Sequence, residues 1–267
     1  MSNDRNLRVC VDRVSSLDSH PVQAVAHQAR VARALHGTNS KTPRELFAAL
    51  DPTKVIPPER MALINAKCWP KGSELKCRVL GGSQVQKDKA IQQATEWMKY
   101  ANIRITFVAT SDAQIRIAFM PGQGSWSAIG SDCLDTSSFP VSEATMNFGW
   151  LDETTPDDEW RRVVVHEFGH ALGCIHEHQS PNEHLKWDKE AVYAYFSGPP
   201  NNWDRETIDQ NILLNYSPKG ISATLFDPES IMLYMFPAAL FTDHKGTKNN
   251  TDLSDKDKGM ISQMYPH

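Results

Sequence analysis

The run His166-Glu167-Phe168-Gly169-His170-Ala171-Leu172-Gly173-Cys174-Ile175-His176 puts three imidazoles, a carboxylate and two glycines within eleven residues. On a helix, His166 and His170 are one turn apart and share a face, so both can reach one metal ion. Glu167 follows His166 by about 100° of rotation, which aims its carboxylate at a water on that ion rather than at the ion. Gly173 can end the helix in a left-handed turn that glycine adopts cheaply, and the chain then swings His176 in as a third ligand. Imidazole suits zinc, and three protein ligands leave one position open, which marks a catalytic zinc rather than a structural one. The competing reading is a surface helix whose HExxH histidines are simply solvated; Gly173 and His176 count against it.

Such a site needs a helix, and the helix needs a scaffold. Thr155 reads as the N-cap, Pro156 as the first helical residue, and Asp157, Asp158 and Glu159 as complements to the positive helix end rather than a cation site. Trp160, Val163 and Val164 are expected to anchor the helix to a sheet. Upstream, Leu75 to Leu80 reads as a strand, Gly81-Gly82 as a turn, and Val85 to Tyr100 as an amphipathic helix bearing Ile91, Ala94, Trp97 and Met98. Ile103 to Val108 and Gln114 to Phe119 alternate with period two and read as strands, followed by short strands at Gly124 to Gly130 and Ala144 to Phe148. Later helices are expected from Asp188, near Trp203, and from Ser254, which forms a capping-box pattern with Asp257, to about Met264. Residues 1–60 differ in pattern. Helices are expected at His20 to His36 and Thr42 to Leu50, and a linker at Asp51-Pro52 and Pro57-Pro58. They read as an accessory or pro-like helical segment, with residues 61–267 as the main domain.

The chain of 267 residues is 40% hydrophobic and 22% charged. Its formal charge of -4 gives no electrostatic ground for binding nucleic acid or an anionic membrane. No apolar run approaches the roughly 20 residues that cross a bilayer. Met1 to Val14 lacks a signal-peptide core, so the expected location is cytoplasmic, with export by a non-standard route as the alternative. The five cysteines are odd in number and not spaced as metal ligands, which implies no disulfide framework. Cys68 and Cys77 could pair across Pro70 to Ser73 in an oxidising setting; in a reducing one both are free thiols.

His166 to His176 resembles the elongated zinc-binding motif of the metzincin metallopeptidases. Ser230-Ile231-Met232-Leu233-Tyr234 resembles their Met-turn, in which the methionine floors the zinc site. The run from His166 to Gly173 is similar to the matrixins, whereas Glu177 after the third histidine and Tyr234 two residues past Met232 are similar to the astacins. Leu233 stands where the astacin pattern usually has His. The resemblance spans roughly Leu75 to His267. It implies an α+β metzincin-type fold: a twisted mixed sheet, a long active-site helix and a smaller, mainly irregular or helical C-terminal subdomain.

The implied activity is a zinc-dependent endopeptidase acting on protein or peptide. His166, His170 and His176 would hold Zn2+ and Glu167 would serve as general base. Tyr234 either hydrogen-bonds the transition state or packs in the lower subdomain. Glu177 either orients that region or is a solvated charge. Gly124 to Gly130 would be the edge strand that receives an extended substrate. Cys10 reads either as a cysteine-switch thiolate or as a free thiol. His178, His184 and His244 read as solvated. Two alternatives remain: a non-catalytic zinc- or peptide-binding module of the same fold, and an enzyme kept latent by residues 1–60.

Overall fold

A mixed sheet carries the chain to the motif helix. The structure, a computed structural model, describes residues 11–13, 63–199, 201–216, 221–223 and 225–267. The helices expected at His20 to His36 and Thr42 to Leu50, the linker prolines and Cys10 lie outside the described residues. In chain order the strands are β1 (Val11–Arg13), β2 (Leu63–Ile64), β3 (Glu74–Val79), β4 (Arg104–Phe107), β5 (Ile115–Ala118), β6 (Ser125–Ala128), β7 (Met146–Phe148) and β8 (Ile221–Ser222). Six of them form one sheet in the order β1-β6-β7-β5-β3-β4, and β2 pairs with β8 apart from it. All neighbours in the large sheet are parallel except β6, which runs antiparallel to β7.

The period-two pattern is visible in β3, where Leu75 and Cys77 are wholly buried between more exposed neighbours. β5 is buried on both faces. Even Arg116 lies inside, its guanidinium donating to the carbonyl oxygens of Glu143, Phe139 and Pro140 and so tying the approach to β7 onto the sheet.

β6 is the strand expected at an open edge. It is not open: β1 lies along its far side, with Val11 opposite Trp126 and Arg13 opposite Ala128.

The first helix, α1 (Gln84–Ala94), starts at a Ser83–Gln86 capping box. The sequence predicts one helix to Tyr100, but the chain tightens after Thr95 into a 3-10 turn over Glu96–Lys99. Tightening turns Trp97 fully into the core, where its indole N–H donates to Val165 O at 2.8 Å. Ala90 and Ala94 face inward, whereas Ile91 is 37% exposed; only the small side chains fit where α1 crosses the motif helix.

That helix, α2 (Asp157–Ala171), carries Asp157, Asp158 and Glu159 in its first turn, as expected. Pro156, not Thr155, is the N-cap, and no side chain caps it. The Thr155 hydroxyl is committed to the preceding turn, where it accepts from Asp152 N–H at 3.0 Å. Trp160, Val163 and Val164 are buried to within 1%, and the indole of Trp69 donates to Ala171 O at the other end.

The C-terminal part contains α3 (Lys189–Ser197, capped by Asp188) and α4 (Arg205–Ile208, capped by Asp204). A π turn at Asp209–Leu213 continues α4, and α5 (Asp255–Met264) follows with the Ser254–Asp257 capping box. It builds its own small core around Val192, Phe196, Ile208 and Phe236. Met232 belongs to the main core and Tyr234 to the small one, so the segment joining them is the seam of the α+β fold. No helix among the described residues is long and apolar enough to cross a membrane.

Candidate metal centre

α2 delivers His166 and Glu167 side by side, His170 one turn later, and then stops. Gly173, at φ +101°, takes the left-handed turn expected of it. Its N–H donates to His170 O and that of Cys174 to Gly169 O, which satisfies the last helix carbonyls and reverses the chain. His176 is thereby brought back beside His170, with ring centroids 4.5 Å apart.

The histidine tautomers follow from their partners. Nδ1 of His166 lies 2.8 Å from Ile231 O, and Nδ1 of His170 lies 2.9 Å from Cys174 O. Nδ1 of His176 lies 3.3 Å from the amide oxygen of Gln179. Carbonyl oxygens only accept, so each Nδ1 carries the hydrogen and each Nε2 carries a lone pair. The His170 Nε2 is 3.1 Å from the Nε2 of both His166 and His176. Lone pairs that converge repel unless a cation sits among them. Tetrahedral nitrogen ligands at about 2.1 Å from zinc stand about 3.4 Å apart, so the donor set and its spacing fit that ion. Burial, followed by the neighbouring His170 and His176, holds His166 well below the usual imidazole range, which keeps it neutral and able to ligate.

Among the described residues this is the one group of three or more His, Cys, Asp or Glu side chains able to hold a metal. His184 and His244 are exposed, as expected. His178 is not: it is fully buried, stacked on His176 at 5.2 Å, with Nε2 3.1 Å from Asn211 O. The small core of the C-terminal part closes over it, and nothing in its local sequence announces that. Cys68, Cys77, Cys133 and Cys174 are free thiols. Burial pushes Cys68 and Cys133 up to about 12, so neither offers a thiolate at neutral pH.

Glu167 is wholly buried beside the ligand cluster, and the Tyr234 hydroxyl is hydrogen-bonded with Nε2 of His176. Tyr234 packs in the small core, as one of its two readings has it, and its hydroxyl lies against the histidine cluster. The floor is Met232, so close beneath α2 that a Cβ on Gly169 would meet its sulfur at 2.5 Å. A side chain at 169 would have to displace the Met232 thioether and press on the Trp97 ring.

Glu177 is no solvated charge. It is buried, its N–H donates to Met232 O, and its carboxylate accepts from Asp227 N–H. Burial raises it well above the usual carboxylate range.

Sequence reasoning passes over two further residues. One is Gln179. The other is Asp257, read only as a helix cap, whose carboxylate also accepts from Ser230 Oγ and Ile231 N–H and so anchors the turn that contains Met232. Burial raises Asp257 to about 6 against an ordinary 3.8. The folded state then holds this proton more tightly than the unfolded state, so stability from this group falls as pH rises from about 4 to about 6 and is level above. Asp257→Asn is expected to remove that slope, flattening the profile of unfolding free energy from urea titrations relative to the parent by about 3 kcal/mol across the window. Parallel profiles for the two proteins would count against it.

Comparison with known proteins follows the same outline. The sequence profile of the peptidase family described as Astacin matches residues 63–265. No curated protein matches the chain. A solved structure of myroilysin is 43% identical, with a TM-score of 0.74, covering 77% of this chain and 98% of that one. A second, crystal structure of myroilysin is 41% identical with a TM-score of 0.59, covering 75% of this chain and 86% of that one. Of the two metzincin likenesses in the motif, the astacin one extends through Glu177 and Tyr234 to nearly the whole C-terminal four-fifths of the sequence. The chain belongs to the astacin family, and is a zinc metallopeptidase.

Proposed function

We propose that the chain is an endopeptidase in which His166, His170 and His176 hold the zinc, Glu167 is the general base and Tyr234 stabilises the transition state. The observation that carries the reading is the set of three Nδ1–H groups tied to carbonyl oxygens while three Nε2 lone pairs converge. The ion, when bound, supplies Lewis-acid polarisation of the scissile carbonyl and acidifies a water to a pKa of about 7. Glu167 takes the proton of the attacking water and returns it to the leaving amine nitrogen. Its burial keeps bulk water from competing for that proton. The Tyr234 hydroxyl donates to the carbonyl oxygen as negative charge develops there. A digest of a broad peptide library by the protein with residues 1–60 removed, with and without chelator, tests the reading against a non-catalytic binding module: metal-dependent cleavage supports it, and intact peptides at every zinc level defeat it.

One observation favours latency of the full chain. β1 occupies the strand position beside β6, where the edge backbone groups would otherwise take an extended substrate. The three histidines, Glu167 and Tyr234 are all at most 2% exposed. In this reading residues 1–60 are a removable pro-segment and residues 61–267 the catalytic domain. A tethered occupant acts at an effective concentration of about a millimolar, so removing residues 1–60 is expected to raise kcat/KM on peptides by about 10–100-fold. Equal rates before and after removal would defeat latency and leave the chemistry standing.

A further inference from the structure

Two of the three imidazoles are oriented by backbone carbonyls, those of Ile231 and Cys174, which no side-chain substitution removes. The third depends on a side chain. Gln179 is buried, and its amide nitrogen donates to Gln210 O at 2.8 Å. A backbone carbonyl only accepts, so that contact fixes which end of the amide faces where. The amide oxygen is left for His176 Nδ1, 3.3 Å away, and an oxygen there requires the hydrogen on Nδ1 and the lone pair on Nε2. The same residue holds the chain on both sides through its backbone. Its N–H donates to His176 O and its C=O accepts from Tyr216 N–H, each at 3.0 Å.

We propose that Gln179 is a positioning residue that fixes His176 in its metal-ready tautomer and couples metal occupancy to the backbone of residues 210–216. The inference rests on the assignment of His176 as a zinc ligand. Ligand orientation by such a partner is generally worth about 10–100-fold in metal affinity.

The test starts from the zinc-loaded protein and measures zinc dissociation by chelator competition, with amide hydrogen exchange over residues 210–216 as a second readout. Gln179→Leu, of similar bulk but with neither hydrogen bond, is expected to weaken zinc binding by about 10–100-fold. Gln179→Glu keeps an acceptor for Nδ1–H but turns a second oxygen toward Gln210 O. It is expected to hold zinc within about threefold of the parent, while the Tyr216 amide exchanges faster and is no longer slowed by zinc. Parent-like zinc affinity in Gln179→Leu overturns the inference, as does loss of zinc from Gln179→Glu comparable to that from Gln179→Leu. Unchanged exchange in both variants overturns the coupling. If Gln179→Leu fails to fold, Gln179→Met, also without either hydrogen bond and similar in bulk, takes its place with the same expected loss of zinc affinity. His176→Ala in the same assay separates the two levels. Zinc held at parental affinity there removes the ligand assignment itself, whereas zinc lost there but kept in Gln179→Leu removes only the role of Gln179.

Discussion

Glu167→Ala is expected to retain about one zinc per chain and to lose peptidase turnover by about 10²–10⁴-fold. The two halves of that result come from the geometry of one helix. Glu167 follows His166 on α2, but a step of about 100° turns its side chain off the line joining His166 to His170. Removing it leaves untouched the Nδ1 contacts of His166 and His170 with Ile231 O and Cys174 O, and their Nε2 lone pairs still converge. What disappears is a group that acts on a proton in flight. The loss should therefore fall on kcat with little change in KM, as for an interaction made only in the transition state. It corresponds to about 3–5.5 kcal/mol of activation free energy. The fold should not suffer, because a buried carboxylate costs free energy that alanine does not. Elemental analysis alongside kcat/KM on a cleaved peptide, with residues 1–60 removed, checks both halves. Parental turnover in the zinc-loaded variant would strip Glu167 of its role, and absence of zinc would show that it supports the metal directly.

How much of this was legible depends on how far apart the cooperating residues lie. The ligand cluster was readable because its logic is local: helix period sets His166 against His170, and Gly173 sets the return to His176. The capping box at Ser254 and the acidic first turn of α2 were readable for the same reason. Thr155 failed as a cap because its hydroxyl had a nearer partner in Asp152 N–H. The break before Trp97 was missed because a tryptophan's demand for the core, and for Val165 O, comes from a residue 68 positions away. Asp257 looks like an ordinary cap until Ile231 N–H, 26 residues earlier, arrives on the same carboxylate. His178 and Gln179 carry no signal of their own; their burial is made by residues 209–216 and by Phe236 folding back over them. The covering of β6 by β1 joins residues more than a hundred positions apart, and nothing in the three residues Val11–Arg13 specifies it. The chemistry is written locally, whereas the devices that orient and cover it are written in tertiary contacts.

His170→Ala is the substitution expected to remove the metal itself. His170 is the middle member of the cluster, its Nε2 3.1 Å from those of both His166 and His176. Its loss leaves two imidazoles and a coordination shell too open to retain a catalytic zinc. Turnover should vanish together with the metal, unlike Glu167→Ala, where the two part company. A stability effect should accompany it. Zinc bound to the folded state alone stabilises by about 4 kcal/mol when present at a thousand times its dissociation constant. In the parent, added zinc should therefore raise the melting temperature, and in His170→Ala it should not. The metal-free proteins should differ too, because His170 Nδ1 donates to Cys174 O in the turn at which Gly173 ends α2. Removing that donor leaves a buried carbonyl short of a partner, a cost of about 1–3 kcal/mol. Zinc that still shifts the melting temperature of His170→Ala by the parental amount would mean the ion is held elsewhere, and the assignment of all three histidines would fall with it.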